Sequence, residues 1–208
     1  MDRERITISI RKTVLELVDQ TIDGTNIRNR SHGIESMIIQ SAGRHNSKNA
    51  VILLGGDDAL KSIPPTKFFL KRLSEAGFPK AQIAVGFLGD KVKANLGDGA
   101  DFGIALEYSS KGEGSGGAVS QYKKQFKSAF IVLNSGVELD VDFNALLEYH
   151  KSHSAVATLV TNNMSSFEGI YILEPEVFNL IPRGFSMLEE EVFPKLIKEG
   201  KAVVWPIG

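Results

Sequence analysis

The sequence A-V-I-L-L-G-G at residues 50–56 is a short apolar run that ends in two glycines. An uninterrupted apolar run of this length, closed by a turn signal, is typical of a strand that is buried on both faces of a sheet. Beyond it, short apolar runs alternate with amphipathic stretches as far as Trp205. This alternation predicts an α/β domain with a largely parallel sheet and helices on both faces.

The order of the predicted elements gives the organisation of the chain. The predicted strands are 50–54, 82–88, 104–108, 129–133, 156–161, 169–173 and 202–205, and the predicted helices are 67–76, 91–96, 118–126, 143–150 and 188–198. The polar stretch G-R-H-N-S-K-N at 43–49 has no hydrophobic periodicity and precedes the first strand. We therefore expect an N-terminal domain over 1–43, a linker over 44–49 and the α/β domain over 50–208.

Two glycine-rich segments are candidates for nucleotide binding. Gly55 and Gly56 follow the first strand, and Gly114, Ser115, Gly116 and Gly117 precede a predicted helix. Glycine at such positions lets backbone N–H groups approach a phosphate or a base closely. Tight turns also explain many glycines, so these segments alone do not establish a ligand.

Residues 50–205 resemble the sugar-nucleotidyltransferase family, and the matching stretches occur in the right order over most of the domain. They are A-V-I-L-L-G-G at 50–56, L-S-E-A-G-F at 73–78, I-A-V-G-F-L-G-D-K-V at 83–92, L-G-D-G-A-D-F-G-I-A-L-E-Y at 96–108, G-S-G-G-A at 114–118, F-I-V-L-N at 130–134, G-I-Y-I-L-E-P-E-V-F at 169–178 and V-F-P-K-L at 192–196. The resemblance implies a Rossmann-like domain that joins a nucleoside triphosphate to a sugar phosphate.

The chain departs from this family at the positions that carry charge in catalysis. The family pattern G-G-x-G-T-R places an arginine on the triphosphate, but here Asp57 and Asp58 follow Gly56. The family pattern N-G-D supplies a magnesium ligand, but here the stretch reads Asn134-Ser135-Gly136. Phosphoryl transfer depends on neutralising phosphate charge. We therefore predict a catalytically inactive domain with no catalytic residue, metal or cofactor, which senses a nucleotide or nucleotide-sugar effector or mediates assembly. The alternative is an active sugar-phosphate nucleotidyltransferase that is dimerised by its N-terminal segment.

The N-terminal segment begins with the strict alternation R-I-T-I-S-I-R at residues 5–11, which predicts a strand. A helical pattern follows from Val14, and Gly24 is its expected C-cap. Ser31 is the expected N-cap of a second helix that runs to about Ala42. A segment of this size cannot bury a core alone, so we expect it to pair with a second copy.

This order of strand, helix and helix resembles the ribbon-helix-helix family of DNA-binding proteins, in which an intertwined dimer places a two-stranded ribbon in the major groove. The resemblance implies base contacts from Arg5, Thr7 and Ser9. It also implies phosphate contacts near the start of the second helix. The residues expected there are Arg28, Arg30, Ser31 and His32.

From this resemblance we predict a sequence-specific transcription repressor that binds double-stranded operator DNA as a homodimer, with a tetramer or larger assembly left open. A plain dimerisation module and an antitoxin remain alternatives. Residues 1–49 hold eight Lys and Arg against six Asp and Glu, whereas the whole chain has a net charge of −1. The basic part of the chain is therefore its N-terminal part, as DNA binding requires.

Composition excludes several other classes of protein. The chain has no cysteine, so disulfides and thiol chemistry are excluded. Its first residues are charged rather than apolar, and no apolar run approaches membrane-spanning length, so we expect a cytoplasmic protein. His150 and His153 have a spacing that a metal site could use, but two histidines are too few to define one.

Overall fold

A computed structural model describes residues 7–24, 27–45, 48–56, 58–110, 112–134, 136–137, 139–161, 167 and 169–207. The chain divides into two compact units, Met1–Asn46 and Ser47–Gly208. No helix in the described part of the chain is both long and apolar enough to cross a membrane.

The N-terminal unit contains two helices, α1 (Lys12–Gln20) and α2 (Arg30–His45). Val18 of α1 is buried and lies against Gly33 of α2. A Cβ atom added at Gly33 would be only 3.0 Å from Val18 Cγ1. Gly33 therefore lets the two helices approach each other. Residues 7–11 precede α1 without forming a strand, so the predicted ribbon is not confirmed in the single chain.

Both predicted helix caps in this unit were wrong. The first helix ends at Gln20 with Thr21 as its C-cap, whereas Gly24 lies in the following turn with φ +75°. The second helix begins at Arg30, because the side-chain oxygen of Asn29 accepts a hydrogen bond of 2.9 Å from the N–H of His32. Asn is as good an N-cap as Ser, and Asn29 is the residue immediately before the first helical residue, Arg30.

The C-terminal unit is built on one sheet, and its described residues form seven strands in the order β3-β2-β1-β4-β6-β5-β7. The strands are β1 (Asn49–Leu54), β2 (Lys80–Val85), β3 (Ala105–Ser110), β4 (Phe130–Asn134), β5 (Ala157–Thr161), β6 (Ile170–Leu173) and β7 (Ala202–Pro206). Only β6 runs antiparallel to its neighbours; every other pairing in the described sheet is parallel. The predicted largely parallel sheet is confirmed.

Helices cover both faces of this sheet and bury its apolar strands. The helices are α3 (Ile63–Glu75), α4 (Gly89–Leu96), α5 (Gly114–Ser120), α6 (Phe143–His153) and α7 (Phe193–Lys198), and α7 continues a π-helical turn at Leu188–Val192. One core joins α3, α4 and α6 to one face of the sheet, and a second core joins α5 and α7 to the other face. Asp142 is the N-cap of α6, since its carboxylate accepts hydrogen bonds from the N–H groups of Asn144 and Ala145.

Candidate functional site

The order in which the chain adds strands to the sheet reverses between β1 and β4. The chain moves outward from β1 through β2 to β3 on one side, and β4 starts the other side of the sheet. Because β1 and β4 are parallel neighbours, their carboxyl ends lie side by side. Open α/β sheets bind ligands in the crevice at such a point. The carboxyl ends here are Leu54, followed by Gly55 and Gly56, and Asn134.

The first glycine segment lines this crevice at the end of β1. Gly55 is half-buried, whereas Gly56 is exposed and has φ +81°, a conformation that favours glycine. The N–H of Gly86, just beyond β2, donates to the carbonyl of Leu54 at 3.2 Å. The backbone at the end of β1 is therefore held by the segment after β2, whereas Gly56 stays exposed to solvent. A loop that binds a ligand through its backbone needs this exposure.

The turn after Gly56 carries a carboxylate and an ammonium group. Asp57 lies outside the described residues. The Lys61 ammonium forms an ion pair with the Asp58 carboxylate, with 2.7 Å between Nζ and Oδ1, and both side chains are exposed. The hydrogen bond from Lys61 to Asp58 raises the pKa of Lys61 above its usual value. Lys61 is therefore a charged group in the turn after Gly56, and its charge is partly neutralised by Asp58.

The second glycine segment, Gly112–Gly117, packs against the segment Gly184–Met187. The N–H groups of Gly116 and Gly117 donate to the carbonyl of Ser186 at 2.9 and 3.4 Å. A Cβ at Gly114 would lie 2.2 Å from the same carbonyl oxygen. Glycine is required here because two backbone segments meet, and two of the N–H groups proposed for a ligand are already bonded within the protein.

A carboxylate that no sequence motif indicates lies between this segment and β4. Glu189, in the π-helical turn, accepts hydrogen bonds from Ser115 at 2.5 Å, Asn134 at 2.9 Å and Tyr171 at 3.1 Å. Its neighbours along the chain are Glu190 and Glu191, and a run of glutamates usually marks a solvated helix face. No local pattern could have identified Glu189.

The described residues do not fit a magnesium ion at this edge of the sheet. Among them, no group of three His, Asp or Glu side chains could hold a metal. The Glu189 carboxylate is already bonded to three donors, and Ser135 lies outside the described residues. Mg²⁺ prefers one or two carboxylates whose oxygens are free to bind it.

The residues predicted to contact DNA bases do not form a ribbon in the described chain. Thr7 and Ser9 are exposed and belong to no strand, and Arg5 lies outside the described residues. The residues predicted to contact phosphate are exposed near the start of α2; they are Arg28, Arg30, Ser31 and His32. The Arg30 guanidinium makes two hydrogen bonds to Asp19, at 2.7 and 2.8 Å. Arg30 therefore joins α2 to α1 in this structure.

The two histidines with metal-like spacing have separate partners. His150 is buried, with its ring nitrogens 2.7 Å from Thr158 Oγ1 and 3.3 Å from Glu174 Oε1. His153 is exposed, and its ring lies against Tyr149. Each imidazole is therefore part of the packing around α6.

The sheet order and the crevice define the C-terminal unit as a Rossmann-like α/β domain. Solved structures share this fold. A Bacillus anthracis protein assigned as a glucose-1-phosphate thymidylyltransferase matches with a TM-score of 0.63 and 16% identity, over 78% of this chain and 87% of that protein. HddC from Yersinia pseudotuberculosis matches with a TM-score of 0.60 and 18% identity, over 76% of this chain and 90% of that protein.

Curated relatives are nucleotidyltransferases that act on sugar phosphates. A UTP-glucose-1-phosphate uridylyltransferase from Synechocystis sp. is 26% identical over 66% of this chain and 48% of its own length. A mannose-1-phosphate guanylyltransferase from Mycobacterium tuberculosis is 24% identical over 76% of this chain and 57% of its own length. An N-acetylmuramate alpha-1-phosphate uridylyltransferase from Neisseria meningitidis is 31% identical over 54% of this chain and 52% of its own length. The chain spans about half the length of these relatives. No family model matches the chain.

These relatives confirm the nucleotidyltransferase-like domain and correct two predictions about function. The prediction of a DNA-binding transcription repressor was wrong, because the relatives are enzymes of sugar-phosphate metabolism and none of the comparisons supports DNA binding. The prediction of a catalytically inactive domain was also wrong, because the same relatives point to an enzyme. Both errors came from giving short motifs more weight than the similarity of the whole α/β domain.

Proposed function

We propose that the Ser47–Gly208 unit is a sugar-phosphate nucleotidyltransferase whose substrates meet at the crevice between the carboxyl ends of β1 and β4. The observation that carries this proposal is the placement of Gly55, Gly56 and Asn134 side by side at the point where the sheet reverses its winding. Crevices of this kind bind nucleotides in α/β proteins. The similarity to uridylyl- and guanylyltransferases supports the same conclusion.

The reaction transfers a nucleoside monophosphate unit. A phosphate oxygen of the sugar 1-phosphate attacks the α-phosphorus of the nucleoside triphosphate, and the bond from that phosphorus to the oxygen bridging to the β-phosphate breaks. The products are a nucleoside diphosphate sugar and pyrophosphate, so all atoms balance. In this proposal the exposed backbone at Gly56 approaches the phosphates, and Lys61 supplies positive charge beside them.

A product assay on the full chain tests the proposal. The chain is incubated with a magnesium salt and with each pairing of UTP, GTP or dTTP with glucose 1-phosphate or mannose 1-phosphate. We expect one pairing to yield a nucleotide sugar and an equal amount of pyrophosphate, and neither product to form without the sugar phosphate. Absence of product for every pairing, from protein that is folded by circular dichroism, would contradict the proposal.

The variant Gly56→Ala should lower this activity by about tenfold or more, because a Cβ strains a loop whose backbone must approach phosphate. Gly56 has φ +81° and no atom within 4 Å of an added Cβ. Gly97 is a matched control, since it has φ +62° and equally open surroundings but lies at the end of α4. Gly97→Ala should keep the activity of the wild type. Equal losses in the two variants would argue against a role for Gly56 at the phosphates.

Asp58→Asn is expected to tighten binding of the nucleoside triphosphate by about threefold at low salt. The substitution removes a negative charge near the phosphates and releases Lys61 from its 2.7 Å ion pair. Titration calorimetry at low and high ionic strength measures the effect, which should shrink as salt increases. Asp101→Asn, at an exposed position in the turn before β3, is the control. Unchanged or weaker binding by Asp58→Asn would place the triphosphate away from this turn.

We propose further that the N-terminal unit joins two copies of the chain. Leu17 and Ile38 are 56% and 54% exposed, and apolar side chains this exposed on a small helical unit favour association. Leu17→Glu should therefore weaken the dimer by about tenfold or more in Kd. Gln20→Glu adds the same charge at an exposed position of α1 and should leave the dimer intact. Analytical ultracentrifugation measures both, and a monomeric wild type would contradict this proposal.

A further inference from the structure

One carboxylate, that of Glu189, connects three segments around the crevice. Ser115 belongs to the glycine segment, Asn134 is the last residue of β4, and Tyr171 lies within β6. Side chains from all three donate hydrogen bonds to Glu189, at distances of 2.5, 2.9 and 3.1 Å. These donors lie between 18 and 74 positions away from Glu189 along the chain.

The hydrogen bonds fix the direction of the Ser115 hydroxyl. The N–H of Leu188 donates to Ser115 Oγ at 2.9 Å, so the Ser115 oxygen accepts from Leu188 while its hydrogen is donated to Glu189. The Asn134 amide donates through Nδ2, which turns its side-chain oxygen away from Glu189. Hydrogen bonds to an ionised carboxylate are stronger than those between neutral groups.

Burial differs among the four side chains. Tyr171 and Ser115 are buried, whereas Glu189 and Asn134 are half-exposed. The buried donors hold one side of the carboxylate, and the half-exposed groups lie at the carboxyl end of β4, which borders the crevice. The cluster therefore joins the protein interior to the surface where the proposed function places its substrates.

We propose that Glu189 is a positioning residue of the nucleotidyltransferase site: it sets the separation of the Gly112–Gly117 segment and Asn134 before substrates bind. This inference rests on the proposed function. A site that is held in its reactive geometry loses up to about a hundredfold in rate when a supporting contact is lost and groups shift by about 1 Å.

Two variants of Glu189 separate its charge from its hydrogen bonds. Glu189→Ala removes all three bonds, and kcat/KM should fall by about tenfold or more. Glu189→Gln keeps a carbonyl oxygen that can face the Asn134 and Tyr171 donors, so it should recover part of the loss. Glu190→Gln, at an exposed position one residue further, is the control and should match the wild type. Equal kinetics for Glu189→Ala and Glu190→Gln would overturn the inference.

A double-mutant cycle tests whether Glu189 acts through Ser115. If it does, Ser115→Ala combined with Glu189→Gln should lower kcat/KM no further than the more damaging single variant. Fully additive losses would show that the two residues act independently, and this part of the inference would fail.

Amide hydrogen exchange keeps this test separate from the proposed function. In Glu189→Ala, and to a lesser extent in Ser115→Ala, exchange in peptides that span Gly112–Ala118 should accelerate by about tenfold or more relative to Glu190→Gln. An inactive wild type with this acceleration would reject the proposed function but retain the structural role of Glu189. An active wild type without the acceleration would reject the inference alone.

Discussion

Gly114→Ala is expected to lower the free energy of unfolding of the Ser47–Gly208 unit by about 3–5 kcal/mol, the sum of backbone strain and of buried hydrogen bonds lost when a clash is relieved. Gly114 has φ +75°, and a Cβ there would lie 2.2 Å from the Ser186 carbonyl oxygen. The obstructing atom belongs to the backbone, so it cannot move as a side chain would. Relieving the clash requires Gly184–Met187 to move away, which breaks the bond from Gly116 to Ser186.

Urea unfolding followed by the fluorescence of Trp205, the single tryptophan, measures this loss in the C-terminal unit. Gly184→Ala is the matched control, because Gly184 lies on the opposing segment with φ +85° and no atom within 4 Å of an added Cβ. That variant should cost only the strain of a left-handed residue, about 1–2 kcal/mol. Equal losses in the two variants would show that the close contact at Ser186 does not limit stability.

His150→Ala should destabilise the same unit by about 3 kcal/mol, since it leaves a cavity and removes partners from buried polar groups. His150 is 1% exposed and contacts Thr158 and Glu174 through its two ring nitrogens. Thr158 is itself fully buried in β5, so its hydroxyl loses this partner inside the protein. The melting temperature should fall by about 6–12 °C for a unit of this size.

His153→Ala provides the comparison on the same helix. The His153 ring is exposed and lies against Tyr149 with 4.0 Å between ring centroids. Removing an exposed ring that covers one aromatic face should cost about 1 kcal/mol or less. Scanning calorimetry on both variants tests the assignment, and a larger loss from His153→Ala would mean that the packing around α6 is misassigned.

Most elements of the α/β domain could be predicted because their signals are local. The apolar run at 50–54 and the apolar run at 129–133 became neighbouring buried strands, β1 and β4. Asp142 stands immediately before the amphipathic run 143–150, which is the local signal of an N-cap, and its carboxylate caps α6. Strand periodicity, helix periodicity and capping all depend on residues within a few positions of each other.

The candidate site was harder to predict because its contacts are distant in sequence. Glu189 contacts Ser115 from 74 positions away, and nothing in the run Glu189–Glu191 distinguishes the glutamate that makes this contact. The glycines at 114 and 116 suggested a ligand loop, whereas their immediate structural reason is the close approach of Ser186. Steric reasons of this kind appear only when two segments are brought together.

The function was predicted wrongly because the absence of catalytic residues at single positions was given too much weight. The sequence has no arginine where the G-G-x-G-T-R pattern continues after Gly56, and it has no aspartate at the end of Asn134-Ser135-Gly136; both absences were interpreted as loss of catalysis. The N-terminal prediction depended on a strand whose hydrogen-bonding partner would have to come from a second chain. Similarity over the whole domain was the stronger indication.

The central claim is that a nucleotide binds at the crevice between β1 and β4. A titration of the ¹⁵N-labelled full chain with UTP and with GTP, followed by amide chemical shifts, tests it most directly. We predict that the shifts concentrate at Gly55, Gly56 and Asn134, with little change in α1 and α2. Shifts confined to the N-terminal helices, or no shifts at saturating nucleotide, would contradict it.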